Sequence, residues 1–165
     1  MKELLSSVQA ALDQKFPGEV LKAEILYDFP VITIKPDFAY AIVKFLKEDE
    51  TFNFHFLTDL TGMQTPDEKE LGVIYHLHNL PKNFRIRIKT FVPMTKPDVK
   101  SVTDLWAGAN WMERETYDFF GIRFQGHPDL RRILNVDEMD IFPLRKEYPL
   151  EDQTRDDKSD KMFGR

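Results

Sequence analysis

The sequence predicts an α+β domain of two layers, in which helices cover one face of a mostly antiparallel or mixed five-stranded sheet. Helical and strand-like apolar patterns follow one another in the order α-β-β-α-β-β-β-α, and this order is typical of α+β folds. After Gly121 both patterns fade and prolines punctuate the chain, which indicates an extended C-terminal arm. We therefore divide the 165 residues into an α+β domain at 1–121, an arm at 122–150 and a charged tail at 151–165.

The N-terminal part begins with a helix predicted from Lys2 to Lys15. Its apolar residues recur at helical spacing, and Pro17-Gly18 ends the pattern. Two strands follow, from Val20 to Tyr27 and from Val31 to Lys35, on either side of the turn Asp28-Phe29-Pro30. These segments supply the first helix and the first two strands of the sheet.

A second helix and three strands come next. The helix is predicted from Phe38 to Glu48, because an apolar stripe runs along it at helical spacing. Strands are predicted from Thr51 to Leu60, ending at Thr61-Gly62, from Leu71 to Leu80, and from Phe84 to Val92. The last strand has the clearest alternation, with one apolar face and one basic face that carries Arg85, Arg87 and Lys89.

The third helix closes the domain. The segment from Pro93 to Asp98 is predicted to be a linker. Ser101 is predicted to cap a helix that runs to about Phe120. Gly121 ends this helix, because glycine adopts the left-handed conformation that helix C-termini require. The arm and the tail then follow without a strong apolar pattern.

Composition excludes several classes of function. A net charge of −5 argues against non-specific binding of nucleic acid by the whole chain. Without cysteine there is no thiolate nucleophile and no cysteine-ligated zinc or iron–sulfur cluster in this chain. No apolar run approaches the ~20 residues that cross a bilayer, and Glu3 and Asp13 interrupt the N-terminus, so we expect neither a signal peptide nor a transit peptide.

The strongest functional signal is the segment from Trp106 to Leu134, which mixes aromatic and charged residues in every turn. Such a segment suits burial against a partner protein, where each charge must find an opposite charge or a backbone group. On a helix Arg114 can pair with Asp118, which lies four residues later. The alternative is a solvated helix end with ion pairs at its surface.

The chain after the helix carries two basic segments framed by prolines. Asp129 is expected to cap a short helix, and Arg131 and Arg132 suit clamps on the carboxylates of a partner. Reversal of either arginine charge is expected to block assembly. The residues predicted to form a subunit interface are Glu113, Arg114, Glu115, Tyr117, Asp118, Gly121, His127, Pro128, Asp129, Arg131, Arg132, Leu144, Arg145 and Lys146.

Two other functions remain open on the residues alone. His76 and His78 project from one face of a strand, and His55 on the preceding strand could complete a zinc site in a hydrolase or hydratase. The basic strand face of Arg85, Arg87 and Lys89 could bind the phosphates of a nucleic acid. No glycine-rich phosphate loop and no Gly-x-Ser-x-Gly motif is present.

The motifs resemble one family, the thirty-kilodalton subunit family of the proton-pumping NADH:quinone oxidoreductase, respiratory complex I. The resemblance runs from about Glu24 to Leu150, and five segments carry it. They are Ser101-Val102-Thr103-Asp104-Leu105-Trp106, Ala109-Asn110-Trp111, Glu113 to Gly121, His127 to Leu134, and Pro143-Leu144-Arg145-Lys146. The family implies an α+β structural subunit that has no redox centre and no catalytic residue of its own.

The resemblance also implies partners and a location. FMN, the iron–sulfur clusters and quinone are expected in partner subunits, and this chain is expected to pack on the quinone-site large subunit and the iron–sulfur subunits. Its membrane association is then indirect, at the cytoplasmic face of a bacterial inner membrane. Subunits of energy-converting hydrogenases and of related dehydrogenases resemble the same family and form the alternative.

Four residues at three places depart from the family pattern. Ile141-Phe142 stands where the family often has glycine and histidine before the Pro-Leu-Arg-Lys segment. Glu147 stands where aspartate often follows that segment, and Gln64 stands where an aspartate follows Thr61-Gly62. These differences concern contacts of the sheet and the arm.

Overall fold

A computed structural model describes residues 2–148, and its elements follow the predicted order with two short strands added. The helices and long strands are α1 at Lys2–Lys15, β1 at Val20–Leu26, β2 at Phe29–Ile34, α2 at Ala39–Glu48, β3 at Phe56–Gln64, β4 at Glu70–Asn79, β5 at Phe84–Pro93 and α3 at Ala109–Phe120. The added strands are β6 at Asp98–Lys100 and β7 at Arg123–Gln125. The predicted tail at 151–165 lies outside the described residues.

The five long strands form one sheet in the order β1-β2-β5-β4-β3. β2 and β5 run parallel, with Ile32 opposite Ile88, and the other neighbours run antiparallel. The prediction of a mixed five-stranded sheet is therefore confirmed. β6 and β7 form a separate parallel pair, in which Val99 lies opposite Phe124.

The core lies between one face of the sheet and the helices. A row of buried side chains crosses four strands at Ile32, Ile88, Tyr75 and Leu60. The helices α1 and α2 add Val8, Leu12, Ile42 and Leu46, all fully buried. Burial of each such side chain contributes about 1.5–3 kcal/mol, so this layer accounts for most of the apolar stabilisation.

Helix α3 packs on the same face of the sheet, beside β3. Gly62 allows this close approach, because a Cβ atom there would lie 2.6 Å from the ring of Phe120 and 3.0 Å from Thr116. The helices therefore share one face, as predicted. The opposite face of the sheet carries Arg85 and Arg87, which lie across from His78 and His76.

The sheet differs from the prediction at the β1–β2 turn and at both ends of β3. The β1–β2 turn is Tyr27-Asp28, whose φ angles of 49° and 59° are those of a two-residue hairpin turn. β3 begins at Phe56 rather than Thr51, because the Asp49 carboxylate accepts the N–H groups of Thr51 and Phe52 and holds them in a turn. β3 then continues through Thr61-Gly62 to Gln64, so the glycine does not end the strand.

The third helix begins at Ala109, later than predicted. Ser101 does not cap it, because the Ser101 hydroxyl contacts Thr103 and its N–H donates to the carbonyl of Gln125. Gly121 ends the helix with a φ of 73°, as predicted. Within residues 2–148 no helix is long and apolar enough to cross a membrane.

Candidate functional site

The chain after β7 turns back and lies along α3. We call residues 126–148 the C-terminal arm; β7 at 123–125 precedes it and pairs with β6 inside the domain. The Arg114 guanidinium donates to the carbonyls of Arg131 and Arg132, at 3.2 and 2.9 Å. His127 Nε2 lies 3.1 Å from the carbonyl of Asn110, one turn earlier on α3. The C-terminal arm therefore runs in the same direction as the helix.

Asp118 is the main anchor of the C-terminal arm. One carboxylate oxygen accepts the backbone N–H groups of Ile133, Leu134 and Asn135 at 2.8–3.1 Å. The other accepts Arg132 Nη1 at 2.8 Å, and the two side chains are 0% and 8% exposed. Burial alone would raise the pKa of Asp118, but these donors outweigh it and hold the pKa well below its usual range.

Arg132 also organises the loop that follows. Its guanidinium donates to the carbonyls of Asp118, Met139 and Ile141, so one side chain joins three parts of the chain. It also lies 5.2 Å from the centre of the Phe142 ring, within cation–π distance. A buried arginine with five N–H donors can satisfy this many acceptors, whereas lysine cannot do so in one plane.

A second anchor surrounds the end of α3. Phe142 packs edge-to-face against Tyr117 and lies 4.5 Å below the Arg145 guanidinium, which donates to the carbonyl of Phe120 at 2.7 Å. Gly121 makes room for this ring, because a Cβ there would lie 2.6 Å from both Phe142 and Arg145. Phe142 thus fills the space beside the helix end at one of the positions that depart from the family pattern.

A third anchor joins the C-terminal arm to the sheet. The Gln64 side-chain carbonyl accepts the N–H of Lys146 at 2.7 Å, and its amide donates to Glu147 at 3.3 Å. Gln64 and Glu147 both depart from the family pattern, and here they contact each other. An aspartate at position 64 would be one methylene shorter, would lack the amide that donates to Glu147, and would bring a second carboxylate towards it.

Glu113 is enclosed by this chain. One oxygen accepts the Val102 N–H at 2.7 Å, while the other oxygen and the buried hydroxyl of Tyr75 have no partner among the described residues. Burial raises the pKa of Glu113 to about 7, although the hydrogen bond from the Val102 N–H acts in the opposite direction. Glu113 therefore holds the turn that precedes α3.

The predicted interface residues fall into three groups by exposure. Glu113, Asp118 and Gly121 are buried, so they can act on a partner only through the backbone that they hold. Arg114, Tyr117, His127, Arg132 and Arg145 are half-buried as whole residues and contact α3 or the C-terminal arm, and the side chain of Arg132 is itself buried. The exposed members are Glu115, Pro128, Asp129, Arg131, Leu144 and Lys146.

Two local predictions are wrong. Arg114 does not pair with Asp118, because it donates to backbone carbonyls while Arg132 takes the Asp118 carboxylate. No helix follows Asp129, whose N–H donates to Nδ1 of His127 and whose carboxylate pairs with exposed Arg131 at 2.9 Å. Sequence spacing alone could not show which arginine, Arg114 or Arg132, pairs with Asp118.

The alternative sites have less support from the geometry. His76 and His78 share a face of β4, but His55 lies in the loop before β3, with its Nδ1 near the carbonyl of Asn53. Between residues 2 and 148 no three His, Asp or Glu side chains are grouped to hold a metal ion. The basic face of β5 exists as predicted, and Arg87 lies 5.0 Å over the Phe29 ring; its binding to nucleic acid stays a prediction.

The chain is similar to known proteins over most of its length. The family model described as "Respiratory-chain NADH dehydrogenase, 30 Kd subunit" matches residues 32–154. An NADH-quinone oxidoreductase subunit of Rhizobium etli is 38% identical over 143 residues, covering 86% of this chain and 76% of that protein. An NADH-quinone oxidoreductase subunit of Moorella thermoacetica is 40% identical over 140 residues, covering 85% of this chain and 92% of that protein.

Solved structures share the fold. A trypsin-resistant fragment of Nqo5 superposes with a TM-score of 0.64 and 28% identity, covering 78% of this chain and 98% of the fragment. A chain of the membrane-bound sulfane sulfur reductase, an archaeal respiratory membrane complex, superposes with a TM-score of 0.73. The superposition covers 88% of this chain and 85% of that chain. At 24% identity the second similarity shows the fold alone.

Proposed function

Because the chain belongs to the family of the 30 kDa subunit of respiratory-chain NADH dehydrogenase, we propose that it is a non-catalytic structural subunit of a proton-pumping NADH:quinone oxidoreductase. It docks onto the subunits that carry the iron–sulfur clusters and the quinone site. FMN, the clusters and quinone belong to those partners. The subunit keeps the partners in register, so that electrons pass from NADH to quinone over short, fixed distances.

The observation that carries this proposal is the way the C-terminal arm is held. The family match extends through the arm, and the buried pair of Asp118 and Arg132 fixes it against α3. Burial of two charges costs free energy unless their hydrogen bonds are satisfied, and this pair satisfies them within the chain. The fold thus presents one defined arm surface to a neighbour, as a positioning subunit requires.

The proposed location follows from the assembly. Membrane association is indirect, through the partner subunits, at the cytoplasmic face of a bacterial inner membrane. The alternative is the equivalent subunit of a related energy-converting hydrogenase or dehydrogenase, which shares the docking role but takes electrons from another donor.

Affinity purification tests the proposal. The full chain, tagged at its N-terminus, is isolated from mildly solubilised native membranes, and the recovered proteins are identified by mass spectrometry and assayed for NADH:quinone activity. Recovery of cluster-bearing subunits with that activity supports the proposal. Recovery with a hydrogenase-type large subunit assigns the chain to the related assembly, and recovery alone with stoichiometric zinc contradicts both.

A pair of charge reversals tests the role of the C-terminal arm in the same assay. Arg132→Glu places a carboxylate beside buried Asp118 and should prevent assembly, because an uncompensated buried charge costs several kcal/mol. Arg123→Glu is the matched control, because Arg123 is 57% exposed in its pair with Asp98. From the sequence, charge reversal at either Arg131 or Arg132 was expected to block assembly. We now expect this effect only at Arg132, because Arg131 is 68% exposed and pairs with exposed Asp129. Normal assembly of Arg132→Glu would remove the arm from the proposal.

A further inference from the structure

The outward side of α3 and the C-terminal arm carries exposed apolar residues. Trp111, Leu134 and Val136 are 56%, 66% and 63% exposed. Such large apolar side chains usually avoid water, and a group of them on a surface marks a site of interaction. Trp is also among the residues that contribute most to protein interfaces.

Contacts of the C-terminal arm place these residues on one side of the molecule. Trp111, Arg114, Glu115 and Asp118 occupy one stripe of α3, at helical spacings of three and four. The arm covers this stripe at Arg114 and Asp118 through the hydrogen bonds described above, and leaves Trp111 and Glu115 exposed. The backbone of Leu134 therefore lies over Asp118. Its side chain is exposed to solvent.

The exposed side chains are held rigidly. The Leu134 N–H donates to buried Asp118 at 2.8 Å, and the loop after Val136 is closed by the hydrogen bond from Met139 N to the Val136 carbonyl at 3.1 Å. The Arg132 guanidinium donates a hydrogen bond to the carbonyl of Met139. A buried ion pair that holds apolar side chains in water favours binding, because little conformational freedom is lost when a partner arrives.

The charges around these residues are mostly negative. Glu115, Asp137 and Glu138 are exposed, and none forms an ion pair with another residue in the range 2–148. Exposed Arg131 pairs with Asp129 and adds no net charge, while the Arg114 guanidinium is half-buried and directed to carbonyls. An anionic membrane surface would be repelled, and a partner with lysine or arginine would be attracted.

We propose that Trp111, Glu115, Leu134, Val136, Asp137 and Glu138 form the surface, here the outer arm surface, that docks onto a partner protein with an apolar centre and a rim of lysine or arginine. This inference rests on the proposed function and makes it more specific. The charged residues of the family-like motif organise the C-terminal arm from inside, and the outer arm surface makes the contact. The chemistry expected of the partner follows from the exposed apolar and acidic side chains.

Site-specific crosslinking in the native complex tests the contact. A photoreactive amino acid is placed at Leu134 or Val136 of the full chain, and at Tyr27 as a control, because Tyr27 is fully exposed in the β1–β2 turn. After irradiation of native membranes, crosslinked peptides are sequenced. We expect positions 134 and 136 to join one other subunit at a segment that combines apolar residues with lysine or arginine, and position 27 not to join it.

Other crosslinked products would overturn the inference. A crosslink to a second copy of this chain, to residues 149–165 of the same chain, to lipid, or to an acidic segment of a partner would each contradict it. If the wild-type chain purifies without partner subunits, the proposed function itself fails. If the wild-type complex assembles but positions 134 and 136 give no crosslink, only the outer arm surface is wrong.

Charge reversal supplies the second measurement. Asp137→Lys with Glu138→Lys should lower the yield of assembled complex about tenfold or more, because like charges across an interface cost more than one tenfold step in affinity. Glu68→Lys with Glu70→Lys is the matched control, since both residues are exposed near the β3–β4 turn and change the net charge equally. Equal yields for the two double variants, with unchanged thermal unfolding, would overturn the inference.

Discussion

Asp118 and Asp129 each form an ion pair with an arginine of the C-terminal arm, but their surroundings differ. The side chains of Asp118 and Arg132 are 0% and 8% exposed, whereas those of Asp129 and Arg131 are 59% and 68% exposed. Loss of one partner from a buried pair costs about 3–5 kcal/mol, and an exposed pair contributes about 0–1 kcal/mol. Burial therefore decides which aspartate holds the arm.

We expect Asp118→Asn to release the C-terminal arm and Asp129→Asn to leave it in place. Limited trypsin digestion of the isolated chain measures this, because Arg132 is protected only while its guanidinium is bound. Rapid cleavage after Arg132 should appear in Asp118→Asn alone, with a fall of about 3 kcal/mol in the free energy of unfolding. Equal cleavage of both variants would contradict the assignment of Asp118 as the main anchor.

The same carboxylate makes stability depend on acid. Its pKa is lower in the folded protein than the unfolded value of 3.8, so its contribution is present above that value and is lost as the pH falls below it. Glu113 has the opposite sign, because its pKa rises from 4.5 to about 7 on folding. Between these two values the unfolded chain releases a proton that the folded chain keeps, so stability falls as the pH rises.

We expect Glu113→Gln to remove this fall. Glutamine keeps the oxygen that accepts the Val102 N–H and cannot ionise. Relative to wild type, the variant should gain on the order of 2–3 kcal/mol between pH 4 and pH 8, measured by urea unfolding. Glu115→Gln is the control, because Glu115 is exposed on the same helix. A parallel pH profile for wild type and Glu113→Gln would show that the pKa of Glu113 does not change on folding.

At the residue scale, the sequence predicted where charged and aromatic residues concentrate but not the contacts among them. The density of charge and aromatic residues from 106 to 134 located α3 and the C-terminal arm. It could not show that Asp118 binds Arg132 instead of Arg114, because partner choice depends on how the chain turns after Gly121. Gln64 was found only as a departure from a family pattern, and its contact with Glu147 depends on the fold.

At the scale of elements, glycine at the end of α3 allows the C-terminal arm to pack. Gly121 combines a left-handed φ of 73° with close contact to Phe142, whereas Gly126 has a φ of 84° and no atom within 4 Å of a Cβ. Gly121→Ala should lower the free energy of unfolding more than Gly126→Ala does. Backbone strain of about 1–2 kcal/mol is common to both variants, but only at position 121 would the new Cβ meet other side chains. The difference in unfolding free energy measures the contact of the added Cβ with Phe142 and Arg145. It should become smaller when both glycine variants are made in a Phe142→Ala background.

Long, regular elements followed from periodicity, and short ones did not. α1, β4 and β5 lie within one residue of their predicted ends, because each keeps one apolar pattern throughout. β6 and β7 have three residues each, too few to show a period. At β3, alternating Phe52, Phe54 and Phe56 imitated a strand, but the Asp49 side chain holds the first part in a turn.

For the whole molecule, the structure indicates that the C-terminal arm folds before a partner arrives. Hydrogen bonds join it to Asp118, Phe119, Phe120 and Gln64, so three separate anchors hold it against the domain. We expect the amide protons of Ile133, Leu134 and Asn135 to exchange slowly in the isolated protein, measured by hydrogen exchange and NMR. The exposed amide of Glu138 should exchange fast. Rapid exchange at all four positions would mean that the arm orders only on binding.

The parallel pairing of β2 and β5 has a consequence for synthesis of the chain. β2 ends at Ile34, and β5, its central neighbour, begins only at Phe84, roughly fifty residues later. At about 5–20 residues per second, the ribosome needs several seconds to supply the missing strand. During that interval the β2 edge of the hairpin, which β5 later covers, is open to pairing with other strands, and a chaperone that shields this edge would prevent such pairing.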